Sequence, residues 1–354
     1  MTNAQQVTPL STTPLAIGYR RKGRDVLITQ TPELKIHYGS FICLLGPNGA
    51  GKSTLIRTLA GIQKPLRGTI QLDNQPLGQL SPRQRARRIS IVLTEMQPPS
   101  ILNAYSLVAL GRHPHSGKFG ILRPRDRERI AWAFQAAGAE GLENCQVAQL
   151  SDGERQKLLI ARALAQETPL MLLDEPTAFL DLPRQIELMS TLRKMAHLEQ
   201  MGILLSTHNL DLALRFADRI WLFDTDNTII KGYPEELALS GTISRTFSSN
   251  EVIWNSEHGT FRIQANPNLK AKIQGDSMLA LWTQRALERL GFTIVEKVEP
   301  TALQVRVEET EQTSTLSVDY NSKTARFDSI SHFIDWITQQ TFPSGSALEI
   351  TKRH

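Results

Sequence analysis

The sequence predicts an α/β domain with a mainly parallel sheet, followed by a small α+β domain. Short apolar runs alternate with helical segments between about residues 41 and 230, which is typical of parallel strands covered by helices. A glycine-rich loop, Gly46–Thr54, joins one apolar run to one of these helices. Near residue 250 the composition shifts, and new strand and helix patterns indicate a separate unit.

Composition sets the broad class of protein. The chain has 354 residues, 40% of them hydrophobic, which is enough for two domains with buried cores. A net charge of +5 is compatible with an anionic ligand or a position near a membrane, and it does not indicate nucleic-acid binding. The isolated Cys43 and Cys145 indicate a reducing compartment without disulfides.

The start of the chain, residues 1–13, is polar and predicts a flexible tail. It lacks the basic and apolar segments of a signal peptide. No run approaches the roughly 20 apolar residues that a membrane-spanning helix needs. Any role at a membrane is therefore expected to depend on a partner protein.

The first domain is expected over residues 14–265. A charged hairpin turn at Arg20–Arg24 predicts an antiparallel edge, and Ser81 with Pro82 predicts a helix start. Mixed helices follow, one of them interrupted at Gly111 and Pro114, which predicts a helical subdomain. Buried strands are predicted at residues 41–45, 89–93, 170–173, 203–207 and 219–223, with helices at about 54–60, 150–165, 183–198 and 210–217.

The second domain is expected over residues 266–354, after a linker at Asn266–Asn268. Apolar residues from Leu279 to Leu290 form a helical stripe. Alternating patterns predict strands around residues 303–307 and 316–320, and a final helix is predicted from apolar positions at Phe327 and 330–337. The pattern holds no catalytic cluster, and regulation, support of a homodimer and simple stabilisation remain alternative roles.

The loop Gly46–Thr54 has the G-x-x-x-x-G-K-[ST] pattern of a phosphate-binding loop, or P-loop. Its glycines let the backbone approach a polyphosphate, and its N–H groups point at the anion. Lys52 is expected to reach the β- and γ-phosphates, and the Ser53 hydroxyl to bind Mg²⁺. The residues predicted to bind nucleotide are Gly46, Pro47, Asn48, Gly49, Ala50, Gly51, Lys52, Ser53 and Thr54.

An acid pair, Asp174 and Glu175, ends the apolar run 170–173, on a strand expected to lie next to the P-loop strand. Asp174 is the candidate Mg²⁺ ligand, directly or through water. Glu175 is the candidate general base that activates or orients the attacking water. Two acids at a strand end are common by themselves, and the P-loop upstream supports this functional interpretation.

Taken together, the motifs resemble those of an ATP-binding cassette (ABC) ATPase, a P-loop NTPase, over roughly residues 13–250. The motifs that occur in the family's order are Gly46–Thr54, Leu150–Gln156, Leu170–Thr177, Ala178–Asp181 and Ser206–His208. The segments Val108–His115 and Ala161–Gln166 resemble one subgroup. These are the ATPases of importers for iron–siderophore complexes, haem and cobalamin.

The resemblance implies a shared active site in which two copies of the chain close head to tail over two ATP molecules. One copy would supply the P-loop with Lys52, the acid pair, and His208, which contacts the γ-phosphate and holds the geometry of Glu175. The other copy would supply Ser151 and Gly153. Lys52, Glu175 and His208 are the implied catalytic residues, with ATP and Mg²⁺ as substrate and cofactor.

Further roles follow from the same resemblance. Tyr19 would stack on adenine, the alternative being an ordinary edge-strand tyrosine. Asp181 would lie across the dimer interface, and the segment from about Glu95 to Arg112 would dock a membrane permease. The protein would then sit at the cytoplasmic face of the membrane, with a substrate-binding protein only an indirect partner and no nucleic acid expected.

Two segments depart from the family pattern. The usual signature is Leu-Ser-Gly-Gly-Gln, and here it is Leu150-Ser-Asp-Gly-Glu154. Asp152 replaces a glycine, and two unit charges about 7 Å apart repel by roughly 2 kcal/mol at an effective dielectric of 20. The Asp152 side chain is therefore expected to point away from the nucleotide. Glu95 stands where the family has a glutamine near Mg²⁺, with Gln97 as the alternative in a shifted register. A glutamate there would be a metal ligand that adds negative charge.

The expected function is ATP hydrolysis that powers import of an iron–siderophore complex, haem or cobalamin. One alternative is a soluble ABC ATPase in metal-cluster assembly or nucleic-acid-linked work, and another is a transporter ATPase for a different small solute. The sequence contains one P-loop, whereas most soluble cassette proteins of the translation type carry two cassettes. This and the Gly111–Pro114 segment favour the importer.

Overall fold

The computed structural model describes residues 8–21, 23–94, 101–117, 120–178, 180–249, 252–256, 259–264, 266–295, 302–309, 314–320 and 323–340. The chain divides into two compact units, Met1–Phe247 and Ser248–His354. This division precedes the domain boundary after residue 265 that the sequence suggests. No helix among the described residues combines the length and the apolar character needed to cross a membrane.

The first unit has the predicted α/β architecture. Its strands are β1 (Leu10–Thr12), β2 (Leu15–Arg21), β3 (Arg24–Thr31), β4 (Lys35–Ile36), β5 (Phe41–Leu45), β6 (Ile70–Leu72), β7 (Gln75–Pro76), β8 (Ile89–Val92), β9 (Leu170–Asp174), β10 (Gly202–Ser206), β11 (Arg219–Phe223) and β12 (Ile229–Gly232). Its helices are α1 (Lys52–Leu59), α2 (Pro82–Ala86), α3 (Ala104–Ala109), α4 (Pro124–Ala136), α5 (Asp152–Ala165), α6 (Leu182–Leu198), α7 (Leu210–Phe216), α8 (Pro234–Leu239) and α9 (Thr242–Phe247).

The main sheet runs in the order β12-β11-β5-β10-β9-β8. Its strands are parallel except for β12, which is antiparallel to β11. The expectation that the strand of Asp174 lies next to the P-loop strand is wrong, because β10 lies between β5 and β9 and pairs with both. The crossover through α6 returns the chain into that gap, so the carboxyl ends of all these strands still meet at one edge.

The central strands are buried along their whole length. Every residue of β5, β9 and β10 is buried, as expected for parallel strands with helices on both faces. Polar groups that serve a ligand must therefore lie at or just beyond the carboxyl ends of these strands. Gly46, Asp174 and Ser206 occupy those ends.

Antiparallel pieces flank the main sheet, as predicted. The hairpin β2–β3 turns at the charged segment Arg20–Arg24, and a separate sheet runs in the order β4-β1-β6-β7. The predicted flexible tail is wrong for Leu10–Thr12, because Leu10 is fully buried and β1 pairs with both β4 and β6. Residues 1–7 lie outside the described part of the chain.

The helical subdomain packs α3 and α4 against α5. The predicted interruption at Gly111 is confirmed, since α3 ends at Ala109 and a 3-10 turn follows. There the buried Arg112 guanidinium lies 2.8 Å from Asp126 Oδ1 and donates to Ala165 O at 2.8 Å. Removing one partner of a buried ion pair typically costs about 3–5 kcal/mol. Arg112 thus connects α4, through Asp126, to the carboxyl end of α5, through Ala165 O.

The second unit is the predicted α+β domain. Its elements are β13 (Val252–Asn255), β14 (Thr260–Ile263), β15 (Asn266–Gln274), α10 (Met278–Arg289), β16 (Phe292–Ile294), β17 (Leu303–Glu309), β18 (Ser314–Tyr320), β19 (Lys323–Phe327) and α11 (Ile330–Thr338). A hairpin pairs β13 with β14, and a sheet runs in the order β16-β15-β17-β18-β19. Its core includes Leu287 on α10, Val305 on β17 and Phe333 on α11.

Two details of this unit differ from the sequence predictions. The segment Asn266–Asn268 is not a linker, because it begins β15, which pairs with β16 and β17. Phe327 does not begin the last helix but ends β19, where its ring packs edge-on against Phe333 with centroids 5.9 Å apart. In both places tertiary pairing overrides the local pattern.

Candidate nucleotide-binding site

The P-loop connects β5 to α1 at the carboxyl edge of the sheet. Gly46, Gly49 and Gly51 have φ angles of 153°, 81° and 103°, a region that favours glycine. A Cβ at Gly46 would lie 2.6 Å from Phe223 Cβ, and one at Gly51 would lie 2.7 Å from Ile28 Cγ2. Packing as well as backbone conformation therefore requires glycine at these two positions.

The N-terminus of α1 is open to an anion. Its N-cap residue is Gly51, and among the described residues no side chain caps this end and no acid lies in its first turn. The first N–H groups of a helix lack partners within the helix, and they carry a partial positive charge. A bound phosphate can satisfy both requirements.

Lys52 provides a cation at this end. Its side chain is buried, and Nζ donates to the carbonyl oxygens of Gly46 at 2.9 Å and Pro47 at 3.1 Å. Burial lowers the pKa of Lys52, while the negative charges of Glu175 and Asp174 act in the opposite direction. The lysine is thus held at the P-loop within electrostatic reach of the acid pair.

Tyr19 reaches the same helix from β2. Its hydroxyl lies 2.9 Å from Thr54 Oγ1 in the first turn of α1, and the tyrosine is 37% exposed. The structure therefore brings this predicted nucleotide contact to the P-loop. Stacking of its ring on adenine stays a prediction.

The acid pair is held by Ser206, at the end of the neighbouring β10. Asp174 is almost fully buried, and its Oδ1 accepts a hydrogen bond of 2.7 Å from Ser206 Oγ. Glu175 follows with φ of 49°, a conformation that costs about 1–3 kcal/mol outside glycine. Its N–H donates to Ser206 Oγ at 2.9 Å and to Ser206 O at 3.2 Å. Ser206 belongs to the motif Ser206–His208, and the motif pattern alone predicts no role for it.

His208 lies beside the predicted general base. Its Nδ1 is 3.8 Å from Glu175 Oε2, and the side chains are 59% and 25% exposed. The next residue, Asn209, caps α7 by accepting a hydrogen bond from Leu212 N–H at 3.1 Å. The cap fixes the backbone directly after His208, so the histidine projects from a defined turn between β10 and α7.

The N-terminus of α5 carries the motif predicted to face ATP from the opposite copy. Ser151 is its N-cap and forms a capping box with Glu154. Ser151 Oγ donates to Glu154 Oε2 at 2.7 Å, and Ser151 N–H donates to the same oxygen at 2.9 Å. Asp152 is exposed and lies 3.5 Å from Arg155. At this helix end, only Asp152 was expected from the sequence to repel ATP. The hydrogen bonds of Glu154 to Ser151 were not predicted, although the Ser-x-x-Glu spacing signals a capping box.

Some predicted positions fall elsewhere. Glu95 and Gln97 lie outside the described residues, so their proposed role at Mg²⁺ stays a prediction. Thr94, the last described residue before them, donates from Oγ1 to Asp174 O at 2.7 Å, which ties Thr94 to the end of β9. Asp181, expected at the dimer interface, is the N-cap of α6.

The donor set fits ATP with Mg²⁺. The open end of α1 and Lys52 suit a polyphosphate, and the Ser53 hydroxyl with the Asp174 carboxylate are oxygen ligands of the kind Mg²⁺ prefers. Within the described ranges no group of three or more His, Cys, Asp or Glu side chains could hold a metal ion. Mg²⁺ in nucleotide sites is commonly held by one or two protein oxygens, substrate phosphates and water.

These features define a P-loop nucleoside-triphosphate site, and comparison with known proteins identifies the family. Residues 29–178 match the ABC transporter family, and residues 268–338 match the iron ABC transporter C-terminal domain family. An uncharacterized ABC transporter ATP-binding protein from Methanocaldococcus jannaschii is 38% identical over 264 residues, which cover 75% of this chain and 90% of that protein. The chain therefore belongs to the ABC transporter ATP-binding proteins and is an ABC ATPase.

Two further comparisons agree. The ferric enterobactin transport ATP-binding protein of Escherichia coli is 33% identical over 243 residues, which cover 69% of this chain and 88% of that protein. The dimeric structure of a bacterial ABC transporter cassette superposes with a TM-score of 0.58 at 26% identity, covering 64% of this chain and 98% of that one. The predicted ABC ATPase fold is confirmed.

Proposed function

We propose that this protein is the ATP-hydrolysing subunit of a membrane importer for an iron–siderophore complex, with haem and cobalamin as the other candidate solutes. The observation that carries the proposal is the match of residues 268–338 to the iron ABC transporter C-terminal domain family. It links the P-loop site to iron transport rather than to metal-cluster assembly or nucleic-acid work. The similarity to a ferric enterobactin transport protein supports the same solute class.

The P-loop half of the site binds the triphosphate. The N–H groups of residues 46–54 and the open end of α1 bind its phosphates, Lys52 neutralises charge on the β- and γ-phosphates, and Tyr19 lies beside the base. Asp174 and Ser53 hold Mg²⁺, with Glu95 as a further ligand. When bound, this ion neutralises charge on the β- and γ-phosphate oxygens.

Hydrolysis depends on the acid pair and His208. The Glu175 carboxylate accepts a proton from the attacking water or orients it. His208, with Nδ1 3.8 Å from that carboxylate, holds Glu175 and contacts the γ-phosphate. The backbone of Glu175 is tied to β10, because its N–H donates to Ser206 Oγ at 2.9 Å.

A second copy completes the site. Ser151 and Gly153 of that copy approach the γ-phosphate head to tail from the end of α5. The dimeric form of a similar cassette supports an assembly of two copies. The segment from about Glu95 to Arg112 docks an integral membrane permease. With this docking, the protein would lie at the cytoplasmic face of the membrane. There, ATP-driven closure of the two copies would change the conformation of the permease. A solute-binding protein acts on the permease and not on this chain.

Solute uptake after deletion of the gene tests the proposal. Cells lacking the gene are expected to lose uptake of a radiolabelled ferric siderophore, and the wild-type gene but not Glu175→Gln is expected to restore it. Loss of haem or cobalamin uptake alone would identify the other solutes. Unchanged uptake of all of them, with ATPase activity retained in the purified protein, would favour a different class of ABC ATPase.

A further inference from the structure

We propose that Ser206 is a positioning residue for ATP hydrolysis, because its single hydroxyl fixes both the orientation of the Asp174 carboxylate and the position of the Glu175 backbone. The inference rests on the ATP hydrolysis of the proposed function and is independent of the transported solute. Ser206 touches neither substrate nor metal in this scheme. It acts through the two acids that do.

The hydrogen bonds at Ser206 have only one consistent direction. A carboxylate accepts and a backbone N–H donates, so the hydroxyl proton goes to Asp174 Oδ1 and a lone pair receives Glu175 N–H. The distances are 2.7 Å and 2.9 Å. Ser206 is fully buried, so water cannot compete with either bond. Asp174 and Glu175, which are adjacent in sequence, are therefore both hydrogen-bonded to one oxygen on another strand.

Because β10 lies between β9 and β5, that oxygen is held between the strand of the acid pair and the strand of the P-loop. Ser206 is in register with Asp174 on β9 and with Leu44 on the P-loop strand β5. The next residue, Thr207, donates its N–H to Leu44 O at 3.1 Å. Ser206 is thus tied to the strand of the acids and to the strand that leads into the P-loop.

The two bonds have different consequences. Because Oδ1 of Asp174 accepts from Ser206, the rotation of this carboxylate is restricted, which would fix its orientation toward Mg²⁺. The bond to Glu175 N–H helps hold a residue whose φ of 49° is unfavourable for a non-glycine side chain. Without the hydroxyl, the Asp174 carboxylate can rotate, and Glu175 N–H retains only its 3.2 Å bond to Ser206 O.

The test compares Ser206→Ala, which removes the hydroxyl, with Ser206→Thr, which keeps it. The matched control is Ser90→Ala on β8, since Ser90 is equally buried and its hydroxyl accepts from Thr168 at 2.9 Å without contacting an acid. For Ser206→Ala we expect kcat to fall about 10- to 100-fold, the range typical of a group that orients a metal ligand without touching the metal. The Mg²⁺ concentration for half-maximal ATP binding should rise about fivefold, while binding measured in EDTA stays within about twofold. Ser206→Thr should keep kcat and the half-maximal Mg²⁺ concentration within about threefold of the wild-type values.

A second readout needs neither ATP nor Mg²⁺. In the nucleotide-free protein, hydrogen exchange at the Glu175 amide should be faster in Ser206→Ala and unchanged in Ser90→Ala. The inference is overturned if Ser206→Ala keeps wild-type Mg²⁺ dependence and exchange, if Ser90→Ala reproduces its changes, or if Ser206→Thr is as impaired as Ser206→Ala. Failure of the proposed import function would appear separately, as normal uptake in the gene deletion with these in vitro results unaffected.

Discussion

Two helix N-termini predicted to face the same γ-phosphate are built in opposite ways. The end of α1 has a glycine N-cap, no acid in its first turn among the described residues, and the cation of Lys52. The end of α5 is capped by Ser151 through a capping box with Glu154, and Asp152 adds a second acid. Both ends carry the same backbone dipole, so the side chains create the difference.

The difference indicates two ways to prepare an anion site. The α1 end is ready for a phosphate in an isolated chain. At the α5 end, the Ser151 hydroxyl donates to a carboxylate of its own chain, so under the proposed function ATP would have to replace Glu154 as its acceptor. We therefore expect a single copy to bind ATP through α1 and to hydrolyse it poorly until a second copy contributes α5.

The largest expected effect is at the α1 end. Lys52→Ala should reduce ATP hydrolysis at least about 100-fold, as for loss of one preorganised group that stabilises transition-state charge. Steady-state phosphate release measures it. The control is Lys157→Ala, since Lys157 also donates to a carbonyl oxygen, that of Gly138 at 2.8 Å, but lies on the exposed side of α5. Equal losses in both variants would contradict a special role for Lys52.

A smaller effect of opposite sign is expected at the α5 end. Glu154→Gln removes a negative charge and weakens the hold on Ser151, so ATP-dependent dimerisation should become several-fold tighter. At about 7 Å and an effective dielectric of 20 one repulsion of this kind is roughly 2 kcal/mol, an upper limit of a few tens of fold. Light scattering of the protein with ATP and Mg²⁺ measures the dimer. Weaker dimerisation would mean that Glu154 supports the site.

The same glutamate predicts a pH dependence of stability. Hydrogen bonds from the Ser151 hydroxyl and N–H hold the pKa of Glu154 below its ordinary value of 4.5. A lowered pKa in the folded state stabilises the fold at neutral pH, and this contribution is lost as the pH falls below 4.5. Glu154→Gln also removes a charge from the first turn of α5. Because this charge is exposed and screened by solvent, its loss should lower the free energy of unfolding at pH 7 by no more than about 0.3–1 kcal/mol. Urea unfolding at neutral and acid pH should show the gap closing in acid; a constant gap would exclude a charge effect.

The smallest effect is expected for Asp152→Gly. The Asp152 carboxylate is exposed and lies 3.5 Å from Arg155, so most of its charge is screened by solvent and by that partner. ATP affinity of the dimer should change by less than about twofold. A sharp rise in affinity, measured by nucleotide titration, would show that Asp152 and not Glu154 is the acid that opposes ATP.

The sequence predicted the P-loop, the acid pair and the start of α5 because their geometry is local. The order of the central strands depends on pairing between segments that are distant in sequence. No residue near Asp174 indicates that β10 separates β9 from β5. The role of Ser206 was missed for the same reason, since its partners lie on the neighbouring strand. At Leu10–Thr12 and Asn266–Asn268, short polar segments join sheets whose partners are distant in sequence.

The packing of Gly46 against Phe223 bears on when the site can form during synthesis. The P-loop is complete as a sequence once Thr54 has been made, but its first glycine rests against Phe223, which follows Gly46 by 177 residues (223 minus 46). A ribosome-bound chain that stops before β11 thus carries the motif without one wall of its pocket. We therefore expect nucleotide binding to support folding only late in translation, after most of the first unit has been made.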